Sequence, residues 1–201
     1  MDHLVRALGP DHPDAVTARS HAAYWLSERG DHADAVLVSE ALVARLRATR
    51  GPNHPVTLRH RQSLADQLAK DGRPGAAIAE RQDVATAMAD SLGSDHPDTH
   101  AQLRIAAYLR GRNGQTAESV RLLTALLAQS ESRFGPKDDG TCVCRQYLAE
   151  VLELNGDFAK ALRLVNRSIA EEEDRVFRLE CGPTRDLADL RAARARLTAR
   201  V

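Results

Sequence analysis

Three short strings decide the fold: Gly9-Pro10-Asp11-His12-Pro13, Gly51-Pro52-Asn53-His54-Pro55 and Gly93-Ser94-Asp95-His96-Pro97. They begin 42 residues apart, and a degenerate fourth, Gly135-Pro136-Lys137-Asp138-Asp139, keeps the step. Two further series share the register: Gly30, Gly72, Gly114 and Gly156, and Ala23, Ala65, Ala107 and Ala149. Three series in one register identify an internal repeat, a stronger constraint than any local propensity.

The segments between the glycines carry a helical pattern. In residues 32–49, Val36, Val43, Ala44 and Leu46 recur at three- and four-residue steps, and the alternation expected of a strand is absent. Each unit therefore reads as helix, Gly turn, helix, Gly-Pro turn. Gly closes a helix because it adopts positive φ without a Cβ penalty. In the second turn Asp11, Asn53 or Asp95 is expected to cap the next helix, with Pro13, Pro55 or Pro97 in its first turn, where no N–H is missed. First helices are expected at 13–29, 55–70, 97–112 and 138–154, second helices at 32–49, 74–91, 116–133 and 158–180, and a last helix at 183–199. The fourth second helix is five residues longer by glycine spacing, 26 from Gly156 to Gly182 against 21 from Gly30 to Gly51.

Composition narrows the function. Twenty-eight Lys+Arg balance 28 Asp+Glu among 201 residues, so a general nucleic-acid or membrane-surface binder, which needs a basic field, is not expected. Seven aromatic residues leave few stacking platforms for bases. No apolar run approaches the roughly 18 residues of a membrane span. Three cysteines do not make a secreted disulfide framework and fit a reducing cytoplasm.

The two-helix unit, with small residues at Ala23 and Ala35, Ala65 and Ala77, and Ala149 and Ala161, resembles the tetratricopeptide repeat; the third unit departs with Ser119. The 42-residue length and the Gly-Pro-Asp-His-Pro turn resemble the kinesin-light-chain subtype. The resemblance implies an all-α right-handed solenoid in one repeat domain. Its parts are a half-helix remnant and turn at 1–12, repeats at 13–54, 55–96, 97–137 and 138–182, and a capping helix at 183–201. It also implies a non-enzymatic scaffold, of a kind common in high-GC bacteria alone or at the ends of large regulators. Kinesin-light-chain repeats carry an Asn pair on the first helix. The matching positions here are Ser20-His21, Gln62-Ser63, Arg104-Ile105 and Gln146-Tyr147, so the asparagine clamp is not carried over.

In this family the first helices line an inner groove. The positions counted inward are Thr17, Ser20, Tyr24, Ser27 and Glu28; Arg59, Gln62, Asp66 and Lys70; Arg104, Tyr108 and Arg112; and Gln146, Glu150 and Glu153. The binding set is Ser20, Tyr24, Arg59, Gln62, Asp66, Lys70, Arg104, Tyr108, Arg112, Gln146 and Glu150. Arginine forks in the middle units suit the carboxylates of an acidic protein or peptide segment. The alternatives are a self-association or autoregulatory module of a larger regulator, and an enzyme or small-molecule sensor with a pocket inside the curve.

Catalytic, cofactor and metal sites are not expected, since no nucleophile-elbow, zincin, P-loop or dinucleotide motif is present. His12, His54 and His96 recur one per repeat, on the order of 10 Å apart, too far for one zinc centre; they are expected to hydrogen-bond or pack within their turns. Cys142 and Cys144 lie roughly 200° apart on a helix and are expected to be buried small apolar residues. Cys181 is expected to be exposed. The Glu171, Glu172, Glu173 and Asp174 run is expected to be a solvated face.

The ends differ. Leu187, Leu190 and Leu197 are expected to pack inward, with Arg185, Asp186, Asp189, Arg191, Arg194, Arg196 and Arg200 on a solvated outer side. Residues 1–8 align with 43–50 as part of a second helix, with Leu4, Val5, Ala7 and Leu8 uncovered. That end is expected to continue into further chain or to pair with a second copy as a homodimer.

Overall fold

The computed structural model describes residue 9, residues 12–179 and residues 185–201. The expectations for residues 1–8, Asp11 and Cys181, and for the side chains of Arg185 and Asp186, lie outside the described residues. Among the described residues there are nine helices and no strand: α1 Pro13–Glu28, α2 His32–Arg50, α3 Pro55–Lys70, α4 Pro74–Leu92, α5 Pro97–Arg112, α6 Thr116–Arg133, α7 Asp139–Leu154, α8 Phe158–Leu179 and α9 Arg185–Thr198. All lie within two residues of the sequence expectation. The helix α8 has 22 described residues against 19 in α2 and α4 and 18 in α6, longer as glycine spacing suggests, and the residues that follow Leu179, 180–184, lie outside the described residues.

The Gly turn within each helix pair is closed by one recurring bond. The N–H of Asp31 donates to the Leu26 carbonyl at 2.9 Å, Arg73 to Leu68 at 2.9 Å, Gln115 to Arg110 at 2.9 Å and Asp157 to Leu152 at 2.8 Å. This is the six-to-one bond of a Schellman motif, and it requires positive φ at the glycine between. Gly30 has φ 91° and Gly156 φ 82°. The other glycine series also has positive φ but lies outside the left-handed helical well: Gly51 has φ 97° and ψ 157°, a region open only to glycine.

Helix starts correct the expected caps. His12 and His54, not Asp11 or Asn53, occupy the N-cap, with Nδ1 accepting from the backbone N–H of Asp14 and of Val56, each at 3.2 Å. His96 accepts from Asp98 N–H in the same way, at 3.2 Å. The reason is the proline. A residue preceding Pro is pushed to extended backbone, and His54 has φ −64° and ψ 138°, the geometry of an N-cap. In the fourth unit Asp138 takes over, accepting from Thr141 N–H at 2.9 Å. The histidines thus bond within their turns.

The chain divides into two compact units, Met1–Ala106 and Ala107–Val201. In the first, Val16, Leu42 and Leu46 pack with Val56, and Leu58, Val84, Ala87 and Met88 form a second cluster. Val36 and Val43 are buried as well, whereas Ala44 is exposed and Leu42 takes its expected place. In the second unit one continuous core joins Leu123, Leu127, Leu148, Val151, Val165 and Ile169 to Leu187, Leu190 and Leu197 of α9, whose three leucines do pack inward. Fully burying each such leucine contributes about 1.5–3 kcal/mol.

Ser119, the departure from the small-residue pattern, donates to the Ala107 carbonyl at 2.6 Å. Gly111 makes room for it: a Cβ there would lie 2.8 Å from Ser119 Oγ and 2.6 Å from a Val151 methyl. Cys144 is fully buried as expected, while Cys142 is only half-buried, with its thiol pushed up by desolvation.

The capping geometry sets an expected outcome. His54→Ala removes the acceptor for Val56 N–H and should lower unfolding free energy by about 1 kcal/mol, while His54→Asp, a strong N-cap, should hold it within a few tenths. Urea denaturation of the full chain measures both; an alanine variant as stable as the parent would show that the imidazole is not a cap.

Candidate partner-binding surface

The first-helix positions arrive in the structure already partly committed to one another. In the first unit Lys70 Nζ lies 3.3 Å from Glu28 Oε1, a pair 42 residues apart and hence between equivalent positions of adjacent repeats. Asp66 accepts from Arg81, whose other arm donates to Gln102 Oε1 at 2.5 Å. Gln62 Nε2 sits 3.9 Å from the Met88 sulfur. Ser20 is half-buried, and Tyr24 is exposed in an edge contact with Trp25, ring centroids 5.4 Å apart. Ser27, counted inward from the sequence, is buried instead. Two cations remain: exposed Arg59 and half-buried Arg104 have no ion-pair partner among the described residues. Beside Arg59, His60 is held below its ordinary pKa, chiefly by burial and then by the Arg59 charge.

In the second unit the positions come together closely. Tyr108 donates its hydroxyl to Glu150 Oε2 at 2.6 Å, again across 42 residues. Its ring stacks on Tyr147 with centroids 4.2 Å apart and planes at 14°. Arg112 Nη1 donates to the same hydroxyl at 3.1 Å and its guanidinium lies 6.0 Å from the ring centroid. Desolvation, then the bond to Glu150, pushes the Tyr108 pKa up. Arg112, Gln146 and Glu150 border one cleft of about 710 Å3 between α7 and α9. Arg196 is solvated as expected and borders this cleft, gripping Glu153 through Nε at 2.8 Å and Nη2 at 3.0 Å. That fork holds the Glu153 carboxyl below its usual range.

Sequence reasoning missed three buried arginines. Arg61 is 5% exposed and donates to Glu80 at 2.5 Å. Arg81 is 3% exposed and holds Asp66. Arg145 is 0% exposed, bonded to Glu171, to Glu131 at 3.3 Å and to the Pro136 carbonyl at 3.0 Å. Arg167 closes this last network at 2.9 Å from Glu131 and 3.1 Å from Glu171. The acidic run of α8 is only partly a solvated face: Glu173 stays exposed while pairing with Arg191 at 2.7 Å and Asp174 pairs with Lys137 at 2.6 Å, but Glu171 turns in to serve Arg145. A signal was present in the register: Arg61 and Arg145 are two repeats apart, and Thr57, Thr99 and Thr141 form a buried series at the same step. No group of three His, Cys, Asp or Glu among the described residues is placed to hold a metal ion. No helix among them is long and apolar enough to cross a membrane.

Residues 98–170 match the tetratricopeptide repeat family model. Over that segment the chain carries tetratricopeptide repeats. Its fold is similar to the crystal structure of a candidate kinesin light chain from Podosopora anserina with nearly identical TPR-like repeats, at 22% identity over 94% of this chain and 88% of that one, TM-score 0.74. A single-substitution variant of that protein gives TM-score 0.77 at the same identity and coverage. BtubC (BKLC) from P. vanneervenii matches at 14% identity over 98% of this chain and 79% of that one, TM-score 0.74. No protein of curated function matches by sequence. The tetratricopeptide-repeat fold is one of protein-interaction scaffolds, and at these identities the likeness establishes the fold alone.

The buried arginine network gives a stability test on this repeat chain. Arg145→Ala should lower unfolding free energy by about 3 kcal/mol, the low end for a broken buried pair, because Arg167 and partial solvation remain for the two glutamates. Chemical denaturation checks it, and a loss under about 1 kcal/mol would place Arg145 among surface-type pairs.

Proposed function

We propose that the chain is a non-enzymatic, cytoplasmic scaffold that binds an acidic segment of a partner protein on the first-helix face of residues 1–106. The observation that carries this reading is the pair of arginines there without ion-pair partners, Arg59 and Arg104. Lys70 and Asp66 on the same face are neutralised by Glu28 and Arg81, so the unbalanced charge at these positions is cationic. Guanidinium forks bind carboxylates bidentately, and Gln62 and Ser20 add hydrogen-bonding groups to the same helices. A display library of short peptides selected on the full chain should yield Asp- and Glu-rich sequences. Arg59→Glu with Arg104→Gln should abolish their binding, with exposed Arg59→Glu shifting stability by less than about 0.5 kcal/mol and the double variant still unfolding in one cooperative transition. Selected peptides without acidic enrichment, or binding that survives the double change, would overturn the reading.

Self-association through the N-terminal side is a second reading, favoured by Trp25. Its side chain is 64% exposed and packs edge-on with the exposed Tyr24, whereas the equivalent positions Gln67 and Val151 are buried and Leu109 is half-buried. Repeat arrays bury this position, so an uncovered Trp there suits a second copy of the chain. Light scattering across a dilution series should show a concentration-dependent dimer that Trp25→Glu abolishes. A monomer at every concentration would dismiss it.

A further inference from the structure

The α7–α9 cleft differs in charge from the first-unit face. Its floor is apolar, built from Ala149, Val165 and Leu197. Its rim carries Arg112, Arg196, Glu150, Glu153 and Asp189, two positive charges against three negative. Of the two cations only Arg196 is spent, since the hydroxyl that Arg112 holds is neutral and leaves the Arg112 charge in place. Arg196 is locked by both arms onto Glu153, and Arg112 donates to the Tyr108 hydroxyl beneath its guanidinium. Two of the anions are also unspent. Glu150 accepts one bond, from Tyr108 to Oε2, leaving Oε1 open, and Asp189 has no ion-pair or hydrogen-bond partner among the described residues. These carboxylates stand on the two walls of the cleft, Glu150 on α7 and Asp189 on α9.

From this complementarity we infer that the cleft takes a basic side chain, Lys or Arg, from a partner protein segment. The aliphatic stem lies on the Ala149, Val165 and Leu197 floor while the cationic head meets Glu150 and Asp189 at the rim. Long basic side chains are built for this division, burying methylenes and keeping the charge at a polar edge. An acidic side chain meets the opposite situation: Arg196 is already paired, and the free carboxylates of Glu150 and Asp189 outnumber the one unpaired cation, Arg112. The stacked Tyr108 and Tyr147 fix the Glu150 wall, since the Tyr108 hydroxyl orients that carboxylate. The inference rests on the chain being a peptide-binding scaffold and assigns a second, oppositely charged specificity to that role.

The test uses the full chain, isotopically labelled for NMR, and the capped peptides acetyl-Leu-Lys-Leu-amide, acetyl-Leu-Nle-Leu-amide (norleucine keeps the stem and removes the charge) and acetyl-Leu-Glu-Leu-amide. The lysine peptide should shift the amides of Glu150, Asp189 and Arg196 and bind about tenfold tighter than the norleucine peptide, the worth of roughly 1.4 kcal/mol. The glutamate peptide should bind more weakly than either. Glu150→Gln, which keeps an oxygen for Tyr108, combined with Asp189→Asn should erase the lysine preference and leave norleucine binding unchanged. Equal binding of lysine and norleucine peptides, tighter binding of the glutamate peptide, or no shifts in the cleft would overturn the inference. No lysine selectivity in the parent chain, with acidic peptides still bound through Arg59 and Arg104, overturns this inference alone; absence of all peptide binding overturns the scaffold reading too.

Discussion

The structure depends on one hydrogen bond made four times, from the residue after each turn glycine back to the carbonyl five positions earlier. It forms only if the intervening residue accepts positive φ, which costs an ordinary L-residue about 1 kcal/mol or more and glycine almost nothing. Because the turn geometry is the same each time, equivalent positions of neighbouring repeats come into reach. Glu28 meets Lys70 and Tyr108 meets Glu150, both across a step of 42. The surface is therefore a set of short rows running across the helices, and its properties follow from which residues share a row.

That regularity explains what the sequence made legible. The helices could be placed to within two residues because glycine series report backbone conformation directly, and proline marks the first turn from the other side. The cap residue was misread for an equally physical reason. Asp and Asn are the stronger N-caps in general, so Asp11, Asn53 and Asp95 drew the assignment. Yet the residue immediately before proline is the one whose backbone is forced into cap geometry, and in each string that residue is histidine. Steric restriction outweighed side-chain preference.

The arginines were illegible because composition treats them as surface residues. Arg61, Arg81 and Arg145 are buried only because partners from other helices meet them: Glu80 for the first, Asp66 and Gln102 for the second, Glu131 and Glu171 for the third. No local pattern announces such a meeting, since it joins residues 14 to 26 positions apart. The same blindness affected the groove. Asp66 reads as a free acid and Lys70 as a free base until Arg81 and Glu28 are placed beside them.

Binding character in a chain of zero formal net charge is therefore a matter of remainder. Ion pairs among the described residues take up at least 13 of the 28 positive and 13 of the 28 negative side chains, and a partner is recognised by members of the set that pairing leaves over. Paired surface charges contribute little to stability or to long-range attraction, because each ion already has its counterion. An unpaired one keeps its full field and loses less on meeting a ligand, since no internal bond must break first. On the first-helix positions the remainder is cationic in the first unit, at Arg59 and Arg104. Around the α7–α9 cleft it is anionic on balance, Glu150 and Asp189 against Arg112. The repeat supplies a uniform frame, and departures from uniformity at single row positions, such as Asp66 replaced by Tyr108 and then Glu150, set what each stretch of the frame prefers to hold.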